Sequence, residues 1–188
     1  MVQSNIARKI GLIVAVDKNL GIGRNGSLPW SLKADMKHFV DCTTNTEDPS
    51  KINAVIMGRK CWESIPEKFR PLKNRLNIVV SRTLPECNDD DLIITNSFEK
   101  IVEELLYGQL STKIERVWNI GGGEIYKLAL QNGMVDQIIM TKIEKDFDAD
   151  VFLDGIDWNH FQEDESARSD ILNEKGLNFS FYTYNYVP

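Results

Sequence analysis

Short runs rich in Ile and Val recur along the chain, each too brief for a long helix and too continuously apolar for a strand with one wet face, so each needs cover on both sides. A sheet flanked by helices provides that. The runs are residues 10–16, 52–57, 76–81, 92–95, 116–120 and 134–143. Helical patterns separate them. Leu32, Met36, Phe39 and Val40 follow helical spacing, with Ser31 placed to cap the helix. Phe98, Ile101, Val102, Leu105 and Leu106 form a second helix, opened by Asn96 or Ser97 and stopped near Gly108. A third, residues 124–130, starts directly after three glycines and ends before Gly133. This alternation predicts an α/β domain with a largely parallel sheet. The aromatic run at residues 179–187 follows the turn pair Lys175-Gly176 and reads as the last strand of an antiparallel hairpin.

A chain of 188 residues suits a single domain, 1–188, with residues 1–8 read as an N-terminal extension. No repeat or Pro/Gly/Ser linker divides it. Twenty-two Lys and Arg against 28 Asp and Glu leave a net charge of −6, which argues against a surface built to hold nucleic acid or anionic membrane. Cys42, Cys61 and Cys87 are irregularly spaced and odd in number, so they suit neither a disulfide framework nor a zinc site. Reduced, cytoplasmic thiols follow. No membrane span or signal-peptide core is visible, Asp17 ending the first apolar run. Metal-ligand spacing is absent, and His38 and His160 are read as structural. The polar stretches 43–50, 86–91 and 163–170 are read as surface loops.

Four features could carry chemistry. Gly21, Gly23 and Gly26 satisfy the spacing of a dinucleotide-binding turn, but Asp17 to Leu20 separate them from the strand and Pro29-Trp30 from the helix, so a mobile loop stands beside that reading. Arg59 and Lys60 follow one strand and Ser81-Arg82 another. In a parallel sheet both groups lie on the carboxyl edge, as an anion pocket or as solvated cations. Gly121, Gly122 and Gly123 join a strand to a helix, where backbone amides can meet a phosphate or simply turn the chain. Asp35 borders the stripe of Leu32, Met36 and Phe39, either complementing the helix dipole or holding a proton as a desolvated acid.

Together, IVAVDKNLGIGRNGSLPW, the helix carrying Asp35, VIMGRKCWESIPEKFRPLKNR, VVSR, WNIGGGEIYK and TKIEKDFDADVFL resemble the dihydrofolate reductases over nearly the whole chain. PEKFRPLK and the length are similar to the animal, single-function form, with no fused thymidylate synthase after Pro188. The resemblance implies a central, mostly parallel eight-stranded sheet with an antiparallel C-terminal edge strand and about four flanking helices. It also implies a monomer that uses NADPH to reduce 7,8-dihydrofolate to tetrahydrofolate and binds antifolates, without nucleic acid or membrane.

Carried over by position, the resemblance makes Asp35 the acid that holds the pterin and promotes protonation at N5. Thr141 would support it, and Trp30 would order a water nearby. Ile13, Val14, Ala15, Leu28, Met36 and Phe39 would line the pterin pocket, which Ile65, Leu72, Ile120 and Tyr126 complete, and Arg75 would grip the folate α-carboxylate. For the cofactor, the resemblance implies a cis-linked Gly121-Gly122 with Gly123, Glu124 and Ile125 behind it, and Ala15 and Ile120 alongside. Arg59, Lys60, Cys61, Ser81 and Arg82 would surround the phosphates, and the loop through Ile22, Gly23 and Gly26 would close beside the nicotinamide. Three positions depart from the pattern: Cys61 stands for a threonine, Met36 for an aromatic residue, and Asn119 for an apolar one.

A related NADPH-dependent reductase acting on a pyrimidine or another pterin is the alternative enzyme, separated by whether Arg75 is needed. A non-catalytic folate- or nucleotide-binding protein is separated by an oxidation assay. A pure interaction domain would leave the glycines and cations unexplained.

Overall fold

The computed structural model describes residues 9–188, so the extension assigned to residues 1–8 lies outside the described residues. The chain runs β1 (Ile10–Val16), β2 (Gly21–Gly23), α1 (Lys33–Thr44), β3 (Ile52–Gly58), α2 (Arg59–Ser64), β4 (Arg75–Val80), β5 (Cys87–Asn88) and β6 (Leu92–Thr95). It continues through α3 (Phe98–Tyr107), β7 (Ile114–Gly121), α4 (Gly123–Gln131), β8 (Val135–Ile143), β9 (Val151–Phe152), β10 (Phe161–Glu163), β11 (Leu172–Glu174) and β12 (Leu177–Tyr186).

Ten strands form one sheet in the order β10-β12-β8-β1-β7-β3-β4-β6-β5, with β11 paired to β12. From β8 to β6 the neighbours are parallel, while β12 runs antiparallel to β8. This is the mostly parallel sheet with an antiparallel C-terminal edge that was expected. The sheet has ten strands where eight are expected; β5 has two residues and β10 and β11 three each, lengths that leave no periodic signal in a sequence.

The uniformly apolar runs are explained by period two. Ala54 and Ile56 of β3 enter a core with α3 and α4, whereas Val55 and Met57 face the α1–α2 side with Trp118, Phe39 and Trp62. Both faces are thereby dry. The second helix starts as expected, since the Ser97 hydroxyl accepts from Lys100 N–H.

The first helix does not. Its N-cap is the buried Leu32, which offers no side-chain acceptor. Ser31 does not cap it; the Glu174 carboxylate accepts from Lys33 N–H at 2.7 Å and Ala34 N–H at 3.1 Å instead. The apolar stripe of this helix also departs from a core pattern, with Met36 55% exposed and Val40 37% exposed. That face borders a cleft rather than the interior.

The polar stretch at residues 43–50 was read as a surface loop, yet Thr43 lies in the last turn of α1 and is fully buried. The other two polar stretches contain β5 and the end of β10. The glycine-rich segment is not a strand-to-helix turn. Its first part is β2, paired antiparallel with β9, and the buried Asp17 carboxylate accepts from Asn19, Gly21 and Phe147 N–H groups at 2.8, 2.7 and 3.2 Å. That hub closes the dinucleotide-turn reading.

Candidate active site

Helix α1 runs along one face of the parallel sheet, from the carboxyl end of β8, where Thr141 meets its first turn, to the amino ends of β3 and β4, where Asn53 and Arg75 meet its last. Asp35 sits in the first turn of α1, and the Thr141 hydroxyl of β8 donates to its Oδ1 at 2.7 Å. Its other oxygen accepts no hydrogen bond among the described residues. Burial raises the Asp35 pKa above the usual carboxylate value; the Thr141 bond opposes that rise, and the Glu174 charge adds to it. A partly buried acid with one free oxygen is the result.

Eight residues further along α1, roughly 12 Å at the helical rise, Thr43 marks the other end. Its hydroxyl accepts from Arg75 Nη1 at 3.0 Å while donating to Phe39 O at 2.7 Å. Arg75 is 6% exposed, its Nε donates to Lys73 O, and it has no carboxylate partner among the described residues. A buried guanidinium without a counter-ion invites an anion. Burial lowers its pKa.

Between these ends lie Met36 and Phe39 on α1, with Ile65 and Leu72 packed toward the same side of the sheet as Ile13 and Ile120. Ala15 pairs with Thr141 across β1 and β8, so the two share a face beneath Asp35. Leu28 is 55% exposed at the mouth. Val14 departs from the pocket set, because its side chain packs into the α3–α4 core and only its backbone can face the cleft. Tyr126 is likewise buried in that core, and its hydroxyl donates to Ile13 O at 2.8 Å. Trp30 is 7% exposed and its indole N–H has no acceptor among the described residues.

The second half of the cleft is backbone and cations. Gly121 and Gly122 are joined by a cis peptide, and Gly121 has φ +102°, where a Cβ would strike the Tyr126 ring. A Cβ on Gly122 would meet nothing within 4 Å, so this backbone is open to a ligand. Helix α4 begins there without a side-chain cap, leaving amides of Gly123 and Glu124 directed outward. Behind the turn, Ile125 is buried in the core. Asn119, buried beneath it, finds the partners an interior amide needs: its Oδ1 accepts from Gly121 N–H at 3.1 Å and its Nδ2 donates to Ile125 O at 2.8 Å.

Across the edge, Lys60 and Arg82 are exposed without an ion-pair partner among the described residues, while Arg59 pairs with Glu63 at 2.9 Å. Ser81 is occupied locally, its hydroxyl accepting from Thr83 and Leu84 N–H. The Cys61 thiol points at Ile120 O, 3.8 Å away, and burial pushes it up to about 11. Ile22 packs against the main core at its rim, where Gly123, Val151 and the β2 segment converge, while Gly26 (φ +76°) turns the loop.

Neither Thr43, which reads as the start of a surface loop, nor Glu174 is a candidate site residue by sequence, because the partners that matter, Arg75 and Lys33, lie 32 and 141 positions away.

Fold and site together define an α/β enzyme whose site reaches across a parallel sheet from the carboxyl end of β8 to the amino end of β4. The chain belongs to the dihydrofolate reductase family: the family model described as "Dihydrofolate reductase" matches residues 9–186. A Caenorhabditis elegans relative is 49% identical over 185 residues, covering 96% of this chain and 98% of its own length. The dihydrofolate reductase of Sus scrofa is 39% identical over 181 residues, covering 94% of this chain and 97% of that one. The solved Schistosoma mansoni dihydrofolate reductase superposes with a TM-score of 0.84 at 37% identity, over 96% of this chain and all of that one. Among the described residues no helix is long and apolar enough to cross a membrane.

Proposed function

We propose that this chain reduces 7,8-dihydrofolate to tetrahydrofolate with NADPH, as a cytoplasmic monomer that antifolates inhibit. The observation that carries this is the pair of opposite groups at the two ends of one helix. Asp35 offers a carboxylate to the amino and ring N–H groups of a pterin, Arg75 offers a guanidinium to a carboxylate, and Met36 and Phe39 line the stretch between. A ligand with a flat polar ring, an apolar middle and an acidic tail matches that order. The same arrangement disfavours a substrate without a tail, which would leave Arg75 buried and unanswered.

The open Gly122 backbone, the uncapped start of α4 and the cations Arg59, Lys60 and Arg82 fit a phosphorylated dinucleotide. An arginine where an acidic ribose partner is otherwise usual favours the 2′-phosphate form. When bound, the dinucleotide supplies the hydride. The chain's own residues do the rest. Asp35, held at Oδ1 by Thr141, orients the ring through its free oxygen and raises the basicity of N5; Trp30, with its unspent N–H, suits a water between itself and the acid. Phe39, Ile65 and Leu72 exclude bulk water from the ring and tail.

Loss of reduced-nicotinamide absorbance on adding dihydrofolate to purified chain tests the reading. Turnover with NADPH, strong preference over NADH and inhibition by a diaminopyrimidine are expected. A chain that oxidises no NADPH with dihydrofolate overturns it.

A further inference from the structure

We propose that the Glu174–Lys175 corner of the C-terminal hairpin is a positioning element for the acid end of the cleft, holding in place from outside the helical turn that presents Asp35. The inference rests on the function proposed above and extends it to residues that touch no ligand.

The geometry is two-handed. Both Glu174 oxygens accept backbone amides of α1, Lys33 N–H at 2.7 Å and Ala34 N–H at 3.1 Å, directly before Asp35. The next residue, Lys175, donates from Nζ to Ser31 O at 3.0 Å. Opposite charges one position apart therefore grip successive peptide groups of the segment entering the helix. That segment needs it, because Leu32 cannot cap and Ser31 does not. Helix amides without an acceptor fray, and an acceptor at this end typically matters at the level of a native cap. The hairpin presents the two side chains rigidly, since Lys175 (φ +52°) and Gly176 (φ +76°) make its tight turn and β12 continues into the sheet beside β8. Thr141 on β8 and Glu174 at the end of β11 thus fix Asp35 and its turn from two sides, both through β-structure of the C-terminal half of the chain.

Charge adds a second handle. Glu174 raises the Asp35 pKa, while its bonds to the helix amides hold its own pKa low, with Lys175 and Lys33 helping. The other titratable neighbours are Tyr126 of α4, whose hydroxyl is pushed well up by burial, and His38 of α1, pushed down by burial with Asp41 opposing. Lys37 of α1 is tied to Asp41. Neither Tyr126 nor His38 is charged near neutrality, so Glu174 is the ionised group that acts on Asp35 there.

Three variants of the full chain test this. Glu174→Ala removes cap and charge; Glu174→Gln keeps an acceptor oxygen without the charge; Asn173→Ala breaks the Asn173–Asn178 side-chain bond of the same hairpin at a residue that makes no hydrogen bond to α1. Dihydrofolate and NADPH dissociation constants are measured for each, and the Asp35 carboxyl carbon is titrated by NMR in the ligand-free protein. Expected for Glu174→Ala is roughly five-fold weaker dihydrofolate binding with NADPH unchanged. Glu174→Gln should restore much of that affinity, yet shift the Asp35 midpoint to lower pH, the difference narrowing at high salt. Asn173→Ala should match wild type. An unmoved Asp35 midpoint in Glu174→Gln overturns the proposal, as does equal weakening of both ligands, or an Asn173→Ala that behaves like Glu174→Ala. Should the wild-type chain fail to reduce dihydrofolate, the proposed function falls, while the titration still decides whether Glu174 acts on Asp35.

Discussion

The two halves of the cleft hold charge in opposite ways. Along α1, Asp35 and Arg75 are withdrawn from water, and each is fixed by a hydroxyl from a distant part of the chain, Thr141 and Thr43. At the ends of β3 and β4, Arg59, Lys60 and Arg82 stand in or near solvent, and among the described residues only Arg59 has an ion-pair partner, one turn away on its own helix. A buried charge interacts strongly and is intolerant of misplacement; an exposed one is weak, screened and adaptable. The first half therefore suits recognition of a ring by shape and protonation, the second the collection of phosphates. Substitutions should separate the halves by size of effect.

Asp35→Asn should have the largest. It keeps the shape and an acceptor for Thr141 but removes the acid, so turnover near neutrality should fall about 10²- to 10⁴-fold, and unchanged turnover would remove Asp35 from the chemistry. Stability should move the other way. The folded-state pKa of Asp35 lies above its unfolded value, so the folded chain binds this proton more tightly, and the group's contribution to stability declines as pH rises from the ordinary carboxylate range through the raised value. Above that window Asp35→Asn should melt at a higher temperature than wild type. Below it the advantage should vanish, and thermal melts across pH would show whether it does.

Arg75→Met is next. Loss of a charge-assisted contact should raise the KM for dihydrofolate roughly 10- to 100-fold while leaving kcat within a few-fold. A pterin substrate without an acidic tail should lose nothing and should gain modestly, since no buried guanidinium is left unanswered. If the NADPH KM rises equally, Arg75 acts as a strut for Thr43 and Lys73 rather than as a receptor for a carboxylate.

The contrast between the halves also explains what could be read before the structure. The edge of glycines and cations was legible because its parts are local: glycines adjacent in sequence, cations at strand ends, and a topology that places those ends together. The sheet was legible for a similar reason, since buried strands such as residues 52–57 announce themselves by composition. Along α1 the residues were visible but their partners were not. Thr141, 106 positions from Asp35, is reached only through the family resemblance and by no local pattern; Glu174, 141 from Lys33, is reached by neither, and Thr43 looks like the start of a polar loop. Apolar periodicity misled there too: Met36 and Val40 follow core spacing yet are exposed, because helical spacing reports a shared face and not what covers it.

Asn119 lies beneath the Gly121-Gly122 turn and should give an intermediate effect. Asn119→Leu keeps the branched shape, though in a larger side chain, but deprives Gly121 N–H of its side-chain acceptor and releases the strand end from α4. The KM for NADPH should rise roughly five-fold with that for dihydrofolate unmoved, the scale of one neutral hydrogen bond. Equal changes in both constants would mean that the amide supports the sheet in general and not the turn.

The smallest effect should come from Glu63→Gln, and its sign is informative. In the free protein Arg59 Nη1 lies 2.9 Å from Glu63, with 40% and 47% of the two side chains exposed, a pair of the kind that contributes little to stability. Melting temperature should hardly move. Freed from its carboxylate, Arg59 presents its full charge to the dinucleotide, so the KM for NADPH should fall modestly, and the gain should disappear as salt is raised. If Arg59 serves the 2′-phosphate, NADH shows no gain; if it serves the diphosphate, both nucleotides gain alike. A rise in KM would instead show that Glu63 holds the guanidinium in its working direction, which would make even this exposed cation a positioned group and erase the distinction between the two halves at that residue.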